Sequence, residues 1–389
     1  MSVSGSGTGL STRAVHAGSP DRAVGGPVGT PVYQTSTFFG DPDGAGEVLY
    51  SRYGNGPNNR VVEARIAALE GGEDCVAVGS GMAAMACALL ACLRAGDHVL
   101  AAEALYGGTR GLLDRELSRL GIATTYVDFI ADGWRDGLRP NTRVLLAETV
   151  SNPLLRVTDL APLAEAARAH GARLVVDSTF ATPVNARPLE RGADLVVHSA
   201  TKYLGGHSDL TAGAVVGSRA LAAEVRARAQ VWGPALDPHA AWLLERGIKT
   251  LPLRMERHER NGRAVAEWAE TAPGVARVHY PGLPSHPDHA VAGRVLDGFG
   301  GMVGIEGEGG GEGASRFVRA LRMCSVAPSL GGVETLVSEP RHTSHAHVGA
   351  EERERLGIRD GFVRVSLGIE DAEDIVADLA QALEAARGG

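Results

Sequence analysis

RVLLAETVSNPLLRVTDLAPLAEAARAHGARLVVDSTFATPVNARPLERGADLVVHSA, residues 143–200, decides the fold class. Three short runs in it, RVLLAET (143–149), ARLVVDST (172–179) and ADLVVHSA (193–200), are apolar at consecutive positions and end in polar residues. Unbroken apolar runs mark strands buried on both faces. Between the first two lies DLAPLAEAARAHG (159–171), an amphipathic helix with Asp159 near its start and Gly171 after its end. Strands that alternate with helices pair in parallel and are covered on both sides.

The alternation extends outward over residues 71–217. CVAV (75–78), HVLAAE (98–103) and ATTYVDF (123–129) read as further strands. GSGMAAMACALLACLRAGD (79–97) reads as a helix with Gly96 as its stop, and YGGTRGLLDRELSRLG (106–121) as one helix ending at Gly121. After about residue 247 the pattern changes. GGMVGIEGEGGG (300–311) predicts a strand and a glycine-rich turn, EGASRFVRALRM (312–323) a helix, GFVRVSLGIED (361–371) a strand and AEDIVADLAQALEAARG (372–388) a closing helix. The expected organisation is α/β: a mostly parallel central sheet with helices on both faces in residues 54–247, a smaller α+β domain in 248–389 and an N-terminal arm in 1–53.

Composition excludes several function classes. The 38 Lys+Arg against 46 Asp+Glu give a net charge of −8, which argues against nucleic-acid binding. The longest apolar run, Met82 to Leu93, ends at Arg94, well short of the ~20 residues a bilayer requires. MSVSGSGTGLSTRAVHAG (1–18) has no apolar signal core, so it reads as a flexible tail of a cytoplasmic protein. Cys75, Cys87, Cys92 and Cys324 form no C-x-x-C pair and read as buried free thiols, with no metal site expected. Glycine, at 52 of 389 residues, is about twice as frequent as the usual ~7% without a G-x-y period.

In α/β sheets ligands bind at the carboxyl ends of the strands. Those ends carry Gly79-Ser80-Gly81-Met82 opening a helix, Glu148 and Asn152, Asp177, and Ser199-Ala200-Thr201-Lys202. A helix start offers free N–H groups to an anion. Each piece has a plainer reading: a Gly-Ser connection, a capping aspartate, a solvated lysine. Together, in one sheet, they point to a site. Glu148 reads equally as a cap or as a direct participant.

Here the chain resembles a known family. Ser199-Ala200-Thr201-Lys202-Tyr203-Leu204-Gly205-Gly206-His207 is similar to the lysine loop of the pyridoxal-phosphate enzymes of cysteine and methionine metabolism: the cystathionine γ-synthase, cystathionine γ-lyase and methionine γ-lyase group. The resemblance runs through TRAVHAG (12–18), PVYQTS (31–36), YSR (50–52), SGMA (80–83), YGGT (106–109), VDS (176–178), YPGL (280–283), SLGGVE (329–334) and RVSLG (364–368). It implies a fold type I enzyme that uses pyridoxal 5'-phosphate. Lys202 would carry the cofactor as a Schiff base and then move protons, which requires a neutral amine. Asp177 would pair with the pyridinium nitrogen, and Tyr106 would stack on the ring. Ser80, Gly81, Met82, Ser199 and Thr201 would hold the phosphate. Tyr50 and Arg52 would reach it from a neighbouring subunit, implying a homo-oligomer, a tetramer built as a dimer of dimers. Arg364 would clamp the substrate carboxylate, with Asn152 and Ser329 beside it.

Tyr106 could equally be a core aromatic and Arg364 a surface ion pair; the motif matches move both toward function. The run His342-Thr343-Ser344-His345-Ala346-His347 matches a loop of the family better than a metal site, and His286 and His289 read as a surface Ser-His-Pro segment. The chain also departs from the family. Members handling cystathionine often carry glutamates where this chain has Leu49 and Pro328, and an apolar pair cannot grip the distal ammonium. Methionine γ-lyases commonly have a cysteine at Gly108, β-lyases a tryptophan at Leu330, and Gly56 is an insertion. The resemblance implies γ-elimination or γ-replacement on a homoserine- or methionine-derived amino acid. The alternatives are β-elimination and a non-catalytic scaffold that keeps the fold.

Overall fold

The computed structural model describes residues 8–19, 23–346 and 348–388. Its larger sheet contains β1 (Asp74–Val78), β2 (His98–Ala102), β3 (Ala123–Val127), β4 (Thr142–Glu148), β5 (Arg173–Asp177), β6 (Leu195–His198) and β7 (Gly213–Gly217), in the order β1-β7-β6-β5-β4-β2-β3. All pairings are parallel except those of β7, which runs against both β1 and β6. The expected mostly parallel sheet is therefore present, with one reversed strand.

Side chains alternate faces along each strand. Val144, Leu146, Val175, Leu195, Val197 and Val215 pack under the helices Gly81–Cys92 and Arg219–Trp232. Leu145, Ala147, Leu174, Val176 and Val196 pack against the helix Ala161–His170 on the opposite face. Full burial of one such side chain contributes roughly 1.5–3 kcal/mol. A one-residue slip of any strand would exchange these layers, so the register is firmly set.

The smaller sheet contains β8 (Val275–His279), β9 (Met302–Gly307), β10 (Ser325–Val326), β11 (Leu336–Ser338) and β12 (Phe362–Ser366), in the order β10-β11-β12-β9-β8. Helices Leu251–Thr271, Gly310–Ala320 and Ala372–Gly388 cover it through Val265, Phe317, Val318, Ile375 and Leu379. Residues 23–50 form an arm without a regular strand; it is bridged to itself at Thr37↔Tyr50 and tied to the body where Asn58 Nδ2 donates to Pro31 O at 2.9 Å and Trp242 Nε1 to Thr30 O at 3.0 Å. The stretch expected to be a flexible tail instead contains a helix, Leu10–His16, with Ala14 buried and its carbonyl accepting from Arg65 Nη1 at 2.8 Å; residues 1–7 lie outside the described residues.

Three predicted elements differ in extent or winding, though the second still ends at Gly121. The helix from Gly81 stops at Cys92, because Asp97 accepts the Arg94 N–H at 2.7 Å and substitutes a turn; Gly96, at φ +90°, belongs to that turn. The helix predicted over 106–121 is α only across Gly107–Gly111, widens to π over Leu112–Leu117 and tightens to 3-10 over Ser118–Leu120. Glycines at 107, 108 and 111 enforce the helical ladder weakly. The helix predicted from Glu312 begins at Gly310, inside the glycine cluster. A Cβ on Gly311 would stand 2.1 Å from Arg341 Nη1, so that glycine lets Arg341 reach the Gly311 carbonyl at 2.7 Å.

Helix packing also shapes the lysine loop. A Cβ on Gly247, in the helix Pro238–Ile248, would meet the Gly205 carbonyl oxygen at 2.2 Å, and Arg254 donates to the Tyr203 carbonyl at 2.7 Å. Gly247→Ala should therefore cost about 1–3 kcal/mol by overpacking. Gly293→Ala, in the helix His289–Val295 with open space around it, should be stabilising by about 0.5–1 kcal/mol. Thermal unfolding of both variants checks this; equal shifts would refute the packing argument.

Candidate active site

Parallel register aligns the carboxyl ends of β4 and β5, placing Glu148 opposite Asp177. β6 leads directly into Ser199 and the lysine loop. The loop is set by its own backbone: Lys202 N–H donates to Ser199 O at 3.1 Å, Gly205 N–H to Ala200 O at 2.9 Å and Gly206 N–H to Lys202 O at 2.8 Å. These elements surround a cleft of about 660 Å³. Ser80, Gly81, Met82, Tyr106, Asn152, Asp177, Ser199, Thr201, Lys202, Ser329 and Arg364 all line it. Tyr50 and Arg52 do not. They sit at the surface, where Arg52 Nη1 donates to Gln230 O at 2.8 Å and its guanidinium lies 4.7 Å from the Tyr53 ring.

One end of the cleft is an anion cradle. Ser80 caps the helix Gly81–Cys92: its Oγ accepts the Ala83 N–H at 3.1 Å and its carbonyl the Ala84 N–H at 3.0 Å. The Gly81 and Met82 N–H groups stay available to a ligand. Gly81 is required there, since a Cβ would come within 2.6 Å of Ser199 Cβ. The Thr201 hydroxyl, at the cleft lining, donates to Ala212 O at 3.2 Å and accepts the Ala212 N–H at 3.0 Å.

At the floor, Asp177 Oδ1 accepts the Thr179 N–H at 2.9 Å, and Thr179 Oγ1 accepts the Ser199 N–H at 2.9 Å. Burial raises the Asp177 carboxyl above its ordinary range, opposed by Thr179 and by the nearby His198. On the far face of the sheet His198 Nε2 pairs with Glu70 Oε1 at 2.6 Å, both buried. Sequence reading missed Thr179 and this pair. A hydroxyl two residues past the strand-ending aspartate was the one signal available.

The opposite wall holds the cations. Lys202 Nζ donates to Ser329 Oγ at 2.7 Å, and burial, then Arg364, bring its pKa down to about 8. Arg364 on β12 is buried; Nη1 donates to Asn152 Oδ1 at 3.1 Å and Nη2 to Ser329 O at 2.9 Å. Its Nε has no partner among the described residues, which suits an incoming carboxylate. Burial lowers its pKa to about 10. Ser329 holds φ +90°, a conformation costing roughly 1–3 kcal/mol for a non-glycine residue, of the kind that gathers at functional sites. The Tyr106 ring, 41% exposed, lies over Gly108, whose Cβ would stand 2.5 Å from Cε1.

His342, Thr343 and Ser344 also line the cleft, as befits a loop of the site, and no metal-ligating cluster exists among the described residues. His347 lies outside them. His286 is buried rather than at the surface: Asp288 N–H donates to its Nδ1 at 3.1 Å. The four cysteines are free, and burial pushes the Cys87 and Cys92 thiols up to about 11, leaving them unreactive. Helix-start N–H groups, a half-buried carboxylate, a lysine with a lowered pKa and a buried arginine with a free Nε fit pyridoxal phosphate with an amino-acid substrate.

Comparison with known proteins agrees. The sequence pattern of the family described as Cys/Met metabolism PLP-dependent enzymes matches residues 11–384. The chain is 45% identical to L-methionine gamma-lyase of Pseudomonas putida over 97% of its length and 98% of that protein's. It is 43% identical to a cystathionine beta-lyase of Lactococcus lactis subsp. cremoris, over 97% and 99%. The solved structure of cystathionine gamma-lyase from Lactobacillus plantarum complexed with L-serine superposes with a TM-score of 0.94 at 36% identity, covering 98% of this chain and 100% of that one. The chain belongs to the Cys/Met metabolism family and is a pyridoxal-phosphate-dependent enzyme of fold type I.

Labelling of Lys202 in the cofactor-free protein by an amine-selective reagent, mapped by peptide mass, should rise with pH through a midpoint near 8. The neutral amine is the reactive form, so the sign is a gain above that pH. Arg364→Leu removes a neighbouring cation and should raise the midpoint. A wild-type midpoint near the ordinary lysine value would contradict the assignment.

Proposed function

We propose that the protein eliminates or replaces the γ-substituent of an amino acid derived from homoserine or methionine. The observation that carries this reading is the joint placement of Lys202, Arg364 and the anion cradle in one cleft with an apolar wall. Pro328 and Leu330 line that wall beside Ser329 and accommodate an uncharged γ-substituent such as a thioether. Leu49, the other apolar departure, is absent from the residues lining this cleft.

Pyridoxal phosphate, when bound, supplies the electron sink that stabilises negative charge developing at Cα and Cβ. The Gly81 and Met82 N–H groups hold its phosphate, and the Asp177 carboxylate holds its ring nitrogen positive. Arg364 takes the substrate carboxylate in paired hydrogen bonds, and Asn152 keeps the guanidinium in plane. Lys202 Nζ, neutral above about pH 8 and tethered by Ser329 Oγ, accepts the Cα proton and then handles the Cβ proton. Departure of the γ-group and addition of water release a 2-oxo acid and ammonia; an added nucleophile yields the replacement product.

The arm supports an assembly in which copies complete each other's sites. Val24 and Phe39 are each 109% exposed, and Arg52 lies outside its own cleft. Among the described residues no free cation lines the anion cradle, so Tyr50 and Arg52 of a second copy would supply the phosphate's counter-charge, in a dimer that pairs into a tetramer. Four free thiols fit a reducing cytoplasm.

A panel of γ-substituted amino acids with mass detection of products tests the reaction. Release of 2-oxobutanoate supports it. Pyruvate would favour β-elimination instead, the activity named for the Lactococcus relative. Lys202→Ala should lose turnover and the visible absorbance of lysine-bound cofactor; full activity would sink the assignment. Equal mixing of inactive Lys202→Ala and Arg52→Ala chains by unfolding and reassembly should restore about a quarter of wild-type activity, since half the dimers are mixed and carry one intact site. No recovery would place Arg52 in its own subunit's site.

A further inference from the structure

Glu148 closes β4 beside Asp177. Its Oε1 accepts the Tyr106 N–H at 2.7 Å and its Oε2 the Asn152 N–H at 3.2 Å. Asn152 Oδ1 in turn accepts from Arg364, Arg364 donates to the Ser329 carbonyl, and Ser329 Oγ accepts from Lys202. Polar contacts thus run without a break from the backbone of the stacking tyrosine to the reactive lysine, and Glu148 is the junction.

Nothing comparable holds Tyr106 from its side chain. The ring leans over bare Gly108, and its hydroxyl makes no hydrogen bond among the described residues. Its place is inherited from its backbone. Keeping a carboxylate here is costly, because burial and neighbouring Asp177 both disfavour the ionised form and raise the Glu148 pKa well above its ordinary value. The two N–H donors oppose that rise. A glutamine of equal size cannot replace it, since only a carboxylate presents acceptors on both arms.

We propose that Glu148 is a positioning residue that locks the cofactor-stacking tyrosine and the substrate-carboxylate clamp into one unit, so that the two faces of the site are set together. The inference rests on the pyridoxal-phosphate reading above. It requires Glu148 to act through Tyr106 and Asn152, and no proton of the reaction passes through it.

The test compares Glu148→Gln and Glu148→Asp in the cofactor-loaded enzyme. Glu148→Gln turns an amide NH2 toward one of the two N–H groups; Glu148→Asp keeps the charge but is too short to span both. Each should raise KM and lower kcat, with kcat/KM falling between about tenfold and a hundredfold through misplacement. Circular dichroism of the cofactor band should change as the Tyr106 ring shifts, before any substrate is added. In a double-mutant cycle with Asn152→Ala, the combined loss should be at least about twofold smaller than the product of the single losses, the lower limit for groups in one network. Unchanged dichroism with multiplicative losses would overturn the proposal, as would a lowered thermal midpoint with normal kcat and KM. Should Glu148→Gln not fold, Glu148→Asp carries the same readouts. Failure of the wild type to release any 2-oxo acid would refute the underlying reading instead, while the dichroism still reports on Glu148.

Discussion

The register of β4, β5 and β6 is the constraint on which the molecule depends. It is enforced by two apolar layers, so that Leu145 and Leu146, adjacent in sequence, belong to opposite cores. A parallel sheet buried on both faces has one place left for polar side chains, its strand ends. Glu148, Asp177 and the Ser199–Lys202 loop occupy that edge. Hydrophobic burial therefore selects the location of the chemistry while contributing none of it.

Buried charge is the price of that location. Asp177 and Glu148 stand side by side, and Lys202 faces Arg364. A lone buried ion costs several kcal/mol, and removing one partner leaves another uncompensated. Here each ion is held by short contacts to backbone or to Ser329 and Asn152, so the charges are fixed as well as tolerated. The same crowding is useful: the Arg364 cation that would grip a carboxylate also helps keep Lys202 unprotonated.

Much of this was legible in the amino-acid order. Consecutive apolar residues ending in Asp177 or Ser199 announce buried strands and their functional ends. The sequence also pointed to Gly81, which the tight approach of Ser199 explains. Local signals failed where a distant group decided the outcome. Gly96 looked like a helix stop until Asp97 supplied an earlier turn. Gly311 read as part of a glycine-rich turn, but it lies in a helix with Arg341 packed against it. His286 looked superficial because its burial comes from elsewhere in the fold.

By itself, then, the sequence determined the α/β class, the chemistry-bearing strand ends and the lysine, because periodicity and turn residues act over a few neighbours. Only the tertiary structure decided how Glu148 joins Tyr106 to Asn152, which atoms hold Arg364, and that Ser329 bends backward to meet Lys202. Those contacts join residues from both sheets. Their geometry depends on how the two sheets pack, which no local pattern encodes.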